Sequence, residues 1–181
     1  MIYKRHIFTA LKPEIQEKEI TVLTGMRRVG KTTVMRHMFD LIDSDNKVMF
    51  DFENPLQRKI FEEENYDAIW KNLEPFGITN TKKAYIFIDE VQNLPDISRS
   101  VKYLYDHWDV KFFLTGSSSY YLRNIFPESL AGRKIVFELF PLTFREFLTF
   151  KGIPVGEFVS FDNAAQKKNR IMHEKLRLLY D

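Results

Sequence analysis

No cysteine occurs among the 181 residues, which excludes a disulfide framework and thiolate metal centres. That composition fits a reducing cytoplasm, and a cytoplasmic location is the expectation. Net charge is nearly as scarce: 27 basic and 25 acidic residues leave a formal +2, so no global field draws the chain to nucleic acid or an anionic membrane. No apolar run approaches the ~20 residues of a membrane span. The N-terminus carries charges where a signal peptide would have its apolar stretch. Histidines number four, His6, His37, His107 and His173, without the spacing of metal ligands, and are read as surface or packing residues. Repeats, low-complexity tracts and Gly/Ser-rich linkers are absent. What remains is 44% hydrophobic, enough for one full-sized core and not comfortably two.

Within that core-forming sequence one segment carries chemistry. Gly25, Met26, Arg27, Arg28, Val29, Gly30, Lys31 and Thr32 fit the phosphate-binding P-loop pattern, followed by Thr33. They lie between the apolar run Ile20 to Leu23 and a segment with helical character. The glycines allow a compact loop whose backbone N–H groups point at phosphate oxygens. Lys31 then reaches the β and γ phosphates, and the Thr32 hydroxyl ligates Mg²⁺. The following helix adds its positive N-terminal end. A chance match in a chain this long is on the order of one in a hundred, and the strand before and helix after reduce that further.

A second acidic site decides what happens to the phosphate. Tyr85-Ile86-Phe87-Ile88 is apolar without alternation, the mark of a strand buried on both faces of a parallel sheet, and Asp89-Glu90 follow at its C-terminal edge. Ligands of open α/β sheets bind at that edge. Asp89 is therefore placed opposite the P-loop to help hold Mg²⁺, and Glu90 suits polarising a water for attack on the γ-phosphate. Glu90 can also be read as an ordinary carboxylate at a helix N-terminus.

The patterns alternate as in an α/β fold, a P-loop three-layer α/β/α sandwich around a mostly parallel five-stranded sheet. Strands are expected at Ile20 to Thr24, Lys47 to Phe52, Tyr85 to Asp89, Val110 to Thr115 and Lys134 to Phe140. Helices are expected over 2–17 with an interruption near Pro13, Lys31 to Ile42, 56–73, Ile97 to Trp108, 119–126, a short aromatic segment between Pro141 and Pro154, and 163–180. Glu62-Glu63-Glu64 reads as a solvated face. The fourth strand runs into Thr115-Gly116-Ser117-Ser118, small hydroxyls at the same edge as Asp89. Thr115 and Ser117 are the two candidates for a γ-phosphate-sensing hydroxyl, with turn and capping roles as the ordinary alternative.

Taken in order, Gly25 to Thr33, Ile88-Asp-Glu-Val-Gln92 with Leu94-Pro95, Leu114-Thr-Gly-Ser-Ser118, Leu130-Ala-Gly-Arg133 and Leu139-Phe-Pro-Leu-Thr-Phe-Arg-Glu-Phe147 resemble the prokaryotic AAA+ ATPases often called archaeal-type. The resemblance covers about residues 18 to 150, with Met26 where the family often has proline. It implies ATP rather than GTP. The residues agree, since Asn46-Lys47 is followed by Val48-Met49 and no guanine-specifying Asn-Lys-x-Asp occurs. Longer members of that family continue into a C-terminal domain of nuclease-like fold. The expected organisation is thus an ATPase domain at 1–152 and a helical extension at 153–181 that begins a missing region. The resemblance also implies ATP/ADP as ligands, a possible homo-oligomer, a nucleic-acid or protein partner through the missing region, and no membrane.

A guanidinium can stabilise the charge that develops on a transferring phosphoryl group. Arg133 is the leading candidate, acting on its own nucleotide or a neighbour's, with a solvated or salt-bridged arginine as the alternative. Arg27 and Arg28 lie in the loop itself, touching phosphate or facing solvent. The aromatic load, 17 Phe, 8 Tyr and 2 Trp, is read as packing rather than base stacking, with Phe140, Phe144, Phe147 and Phe150 as the example. The functional expectation is a Mg²⁺-dependent ATPase with Lys31, Glu90 and Arg133 as catalytic residues, coupling hydrolysis to an attached domain or partner. A slow nucleotide-gated switch, and more weakly a phosphotransferase, stay open beside it.

Overall fold

The computed structural model describes residues 5–117, 130 and 132–153. The segment expected as a helix at 119–126, the terminal helix at 163–180 and Ser118 lie outside the described residues. Five strands form one sheet: β1 (Ile20–Gly25), β2 (Lys47–Asp51), β3 (Ala84–Asp89), β4 (Val110–Gly116) and β5 (Lys134–Leu139). They pair in the order β2-β3-β4-β1-β5, every pair parallel. The fold is thus α/β, and all five C-terminal strand ends share one edge.

Sequence explains which strands are central. β4 is buried along its whole length and β3 nearly so; β3 is a continuous apolar run up to Asp89, while β4 is apolar at Val110 and Phe112 to Leu114 and also buries Lys111. β5 borders the sheet, and its Ile135 and Val136 are exposed. Two cores, one on each face, account for the three layers. On one face Leu23, Phe87 and Phe113 pack with Val34, Met35 and Met38 of α2 (Lys31–Leu41) and with Leu11 of α1 (Ile7–Leu11). On the other, Val22, Phe50, Ile86, Ile88 and Phe112 meet Ile69, Trp70 and Leu73 of α4 (Tyr66–Leu73) and Val101 and Leu104 of α5 (Ile97–His107). The Trp70 and Trp108 rings stack at 4.4 Å between centroids, joining α4 to the end of α5.

Three expectations need correction. The lead-in helix breaks near Pro13 as expected but is shorter among the described residues: α1 is only Ile7–Leu11, and Pro13 begins a separate 3-10 turn, Pro13–Ile15. The helix expected over 56–73 is two, α3 (Pro55–Arg58) and α4, separated by a 3-10 turn that drops Phe61 into the core. Asn65 restarts the helix by accepting from Asp67 N at 3.0 Å. The aromatic segment after β5 is α6 (Phe144–Phe150), but Phe140, Phe144 and Phe150 are about half exposed or more. Packing among the described residues therefore accounts only in part for Phe140 and Phe144, and the residues this helix buries are Glu146 and Leu148.

Candidate nucleotide site

Phosphate-binding geometry begins where β1 stops. Gly25 has φ 147, and a Cβ there would stand 2.2 Å from the Leu139 carbonyl oxygen of β5. Only glycine permits that approach. Arg28 and Gly30 also take positive φ, 65 and 97, so the loop turns sharply before α2 begins at Lys31. No side chain caps the start of α2, which leaves its first N–H groups and the positive end of its dipole facing the loop. The Lys31 side chain is buried and folds over the loop, its Nζ donating to the carbonyl oxygens of Gly25 at 3.2 Å and Met26 at 3.0 Å. Phosphate oxygens would be stronger acceptors for the same ammonium. Met26, Arg27, Arg28 and Thr33 are exposed, and Val29 and Gly30 partly so.

Asp89 is the centre of the second half. It ends β3, is 6% exposed, and accepts from the Thr32 hydroxyl at 2.6 Å through Oδ2 and from the Thr115 hydroxyl through Oδ1. A carboxylate this buried, held by two hydroxyls, is the kind of group that pairs with a cation or ligates a metal. One carboxylate and one hydroxyl beside a phosphate site fit Mg²⁺, which keeps several waters and needs few protein ligands.

Glu90 follows at φ 55, a left-handed conformation rare outside glycine that turns its side chain off the strand line. Its N–H donates to Thr115 Oγ1 at 3.2 Å. Thr115, fully buried, is thereby spent on holding Asp89 and Glu90 in place, whereas Ser117 is only partly buried. A residue the sequence reading did not single out connects them: Gln92 Nε2 donates to Glu90 Oε2 and, at 3.1 Å, to Ser117 Oγ. Its Oε1 is buried with no hydrogen-bond partner among the described residues. Gln92 appeared in the motif Ile88 to Gln92, but nothing in the spacing tells that a left-handed Glu90 folds it back.

Arg133 does not join this cluster. The Arg133 carbonyl accepts from Ile20 N at 2.7 Å, so it sits where β1 and β5 start, the edge of the sheet opposite the P-loop. There its Nε pairs with Asp106 at 3.0 Å. Of the alternatives left open for it, the parallel topology disfavours its own nucleotide, since a residue just before a parallel strand lies at the N-terminal edge, and the pair with Asp106 is the salt-bridged one.

Beside the loop opens a cleft of about 650 Å³ lined by Arg5, Phe8, Met26, Val29, Pro141, Leu142 and Phe150, among others. Its walls, mostly apolar with arginines at Arg5, Arg27 and Arg28, suit a flat, partly apolar group. Arg5, Phe8, Pro141 and Leu142 were not foreseen as site residues, because 24 positions separate Arg5 from the loop and over a hundred separate it from α6. Glu146 of α6 accepts from Arg5 Nε at 3.0 Å and from His6 N at 2.9 Å. Burial pushes its carboxyl up, but the N–H groups of Thr143 and His6 and the Arg5 guanidinium outweigh it and hold the pKa at about 2.

Comparison with known proteins agrees with the architecture. A profile described as "AAA domain" matches residues 17–148. An uncharacterised protein of Methanocaldococcus jannaschii is 34% identical over 137 residues, covering 76% of this chain and 30% of the relative. One of Mycobacterium tuberculosis is 31% identical over 148 residues, covering 81% and 30%. The chain thus spans about a third of the length of the curated relatives it matches. Among solved structures, a chain of Drosophila ORC bound to DNA aligns with TM-score 0.55 at 7% identity over 77% of this chain and 92% of that one. Pif1 helicase from Candida albicans aligns with TM-score 0.55 at 9% identity over 79% and 41%. At such identities these two speak for the fold alone. The profile match and the relatives go further: the chain belongs to the AAA domain family, within the P-loop ATPase superfamily.

Proposed function

We propose that the chain binds ATP with Mg²⁺ and hydrolyses it to ADP and phosphate, turnover driving a conformational change in an attached domain or partner. The observation that carries this reading is the Asp89 carboxylate, nearly buried, bonded to the Thr32 hydroxyl at the head of α2 and flanked by Glu90. Lys31, the loop N–H groups of Gly25 to Gly30 and the start of α2 hold the phosphates. Thr32 and Asp89 hold Mg²⁺, which when bound neutralises charge on the phosphate oxygens. Glu90 takes the proton of the attacking water, and Gln92 fixes the carboxylate that does so. Ser117, more open than Thr115, is the hydroxyl that faces the γ-phosphate. The cleft between Phe8, Val29, Pro141 and Leu142 receives the nucleoside.

The topology bears on rate. Arg133 lies at the far edge from its own P-loop and serves a neighbouring copy if it serves any, while Arg27 and Arg28 belong to the loop and lie exposed at its surface. Efficient turnover then calls for a second copy or a partner. That partner, protein or nucleic acid, engages through sequence that the longer relatives have beyond the matched region.

Magnesium-dependent ATP binding and phosphate release, measured beside Lys31→Ala and Glu90→Gln, test the reading. Loss of binding in the first and binding without turnover in the second are expected. No binding by the unsubstituted chain at millimolar nucleotide would overturn it.

A further inference from the structure

The motif from Leu139 to Phe147 supplies no group to the phosphate chemistry, yet its Glu146 and Phe140 join a cluster of polar contacts beside the P-loop. Arg5 is where they converge. Its guanidinium donates through Nη1 to the Val29 carbonyl of the P-loop at 3.1 Å, through Nη2 to the Phe140 carbonyl after β5 at 2.7 Å, and through Nε to Glu146 of α6 at 3.0 Å. Side-chain exposures of 12% for Arg5 and 6% for Glu146 mark the pair as largely dry. Glu146 is itself fixed from two more directions. Its Oε1 accepts from His6 N at 2.9 Å, and its Oε2 accepts from Thr143 N at 2.8 Å, completing a capping box at the start of α6.

These bonds join three separate pieces of chain around one space. Val29 belongs to the loop, Phe140 leads into Pro141 and Leu142, and Arg5 adjoins α1, which carries Phe8; all of Arg5, Phe8, Val29, Pro141 and Leu142 line the cleft. A planar guanidinium with donors in fixed directions can span three acceptors at once, which a lysine ammonium on a flexible stem does not reproduce.

We infer that Arg5 is a positioning residue for the nucleoside end of the cleft, tying the P-loop, the end of β5 and α6 at the separation in which a base and ribose pack. The inference rests on the nucleotide reading above. The phosphate end is built from other residues, so the tie affects ligands with a nucleoside and spares ligands without one.

Titration of the chain with MgATP and with magnesium tripolyphosphate, which has phosphates and no nucleoside, separates the two ends. Arg5→Ala is expected to weaken MgATP by about tenfold or more while tripolyphosphate stays within about twofold. The KM for ATP rises accordingly and kcat at saturation holds. Arg5→Lys restores only part of the affinity. Glu146→Gln, which keeps one acceptor oxygen, enough for His6 N or Thr143 N but not for both, and removes the ion pair, moves MgATP in the same direction by less, and it decides the matter should Arg5→Ala not fold. Equal losses for both ligands would mean a general distortion of the loop and overturn the inference, as would no loss for either. If the unsubstituted chain binds MgATP and these outcomes fail, the inference alone falls. If it binds neither ligand, the nucleotide reading falls with it.

Discussion

The Thr32 hydroxyl and the Asp89 carboxylate meet at 2.6 Å across 57 positions of sequence, which brings the head of α2 and the end of β3 to one point. If that point is where Mg²⁺ is held, Thr32→Val should raise the Mg²⁺ concentration needed for half-maximal ATP binding by about 10–100-fold, while Thr32→Ser stays close to the unsubstituted chain. A Mg²⁺ titration at fixed ATP checks it. An unchanged midpoint in Thr32→Val would remove the hydroxyl from the metal site.

Gln92 bonds to both Glu90 and Ser117, so it should matter for turnover and little for binding. Gln92→Ala is expected to lower kcat by about 10–100-fold with KM for ATP nearly constant. Steady-state kinetics on the two proteins decides. A rise in KM with unaltered kcat would place Gln92 in ground-state binding instead.

Backbone geometry separates two glycines of one loop. At Gly25 a methyl would collide with the Leu139 carbonyl at 2.2 Å, whereas at Gly30 nothing stands within 4 Å. Gly30→Ala should cost about 1–2 kcal/mol for the left-handed backbone alone. Gly25→Ala adds a clash with a neighbouring strand and should cost about 3 kcal/mol or more. Denaturant unfolding of the pair measures the difference. Equal costs would show that β5 yields easily.

Lys111 is fully buried on β4, its Nζ donating to the Glu19 carbonyl, and burial lowers its pKa to about 8 from 10.5. Between pH 8 and 10.5 the unfolded chain therefore binds more protons than the folded one, so this group makes stability rise with pH across that window. Lys111→Met should flatten the rise. Unfolding midpoints at pH 8, 9 and 10 test this, and an unchanged slope would show that the ammonium is not the cause.

How much of this was legible before the fold was known follows from the range of the interactions. β3 announced itself as an unbroken apolar run, and Gly25 to Thr32 as a loop pattern, because both signals are local. The need for glycine at Gly25 was legible only as a motif; its physical cause is Leu139, on a strand that forms over a hundred residues later. Gln92 and the Arg5–Glu146 pair carry no spacing at all, being set by how separate elements meet. Arg133 is different, since the signal that bears on its alternatives was already in the sequence. It precedes a strand, and in an all-parallel sheet that puts it at the edge away from the ligand. Phe140 and Phe144 are more than half exposed; helical spacing tells which residues share a face, not how fully that face is covered.

β1 comes first in chain order among the five described strands and lies between the fourth and fifth, Thr21 pairing with Phe113 on one side and Ile135 on the other. On a ribosome the phosphate loop therefore emerges early and stays without its scaffold until residue 139 has cleared the exit tunnel. The nascent chain carries a complete binding motif for more than a hundred residues of synthesis before it has a binding site.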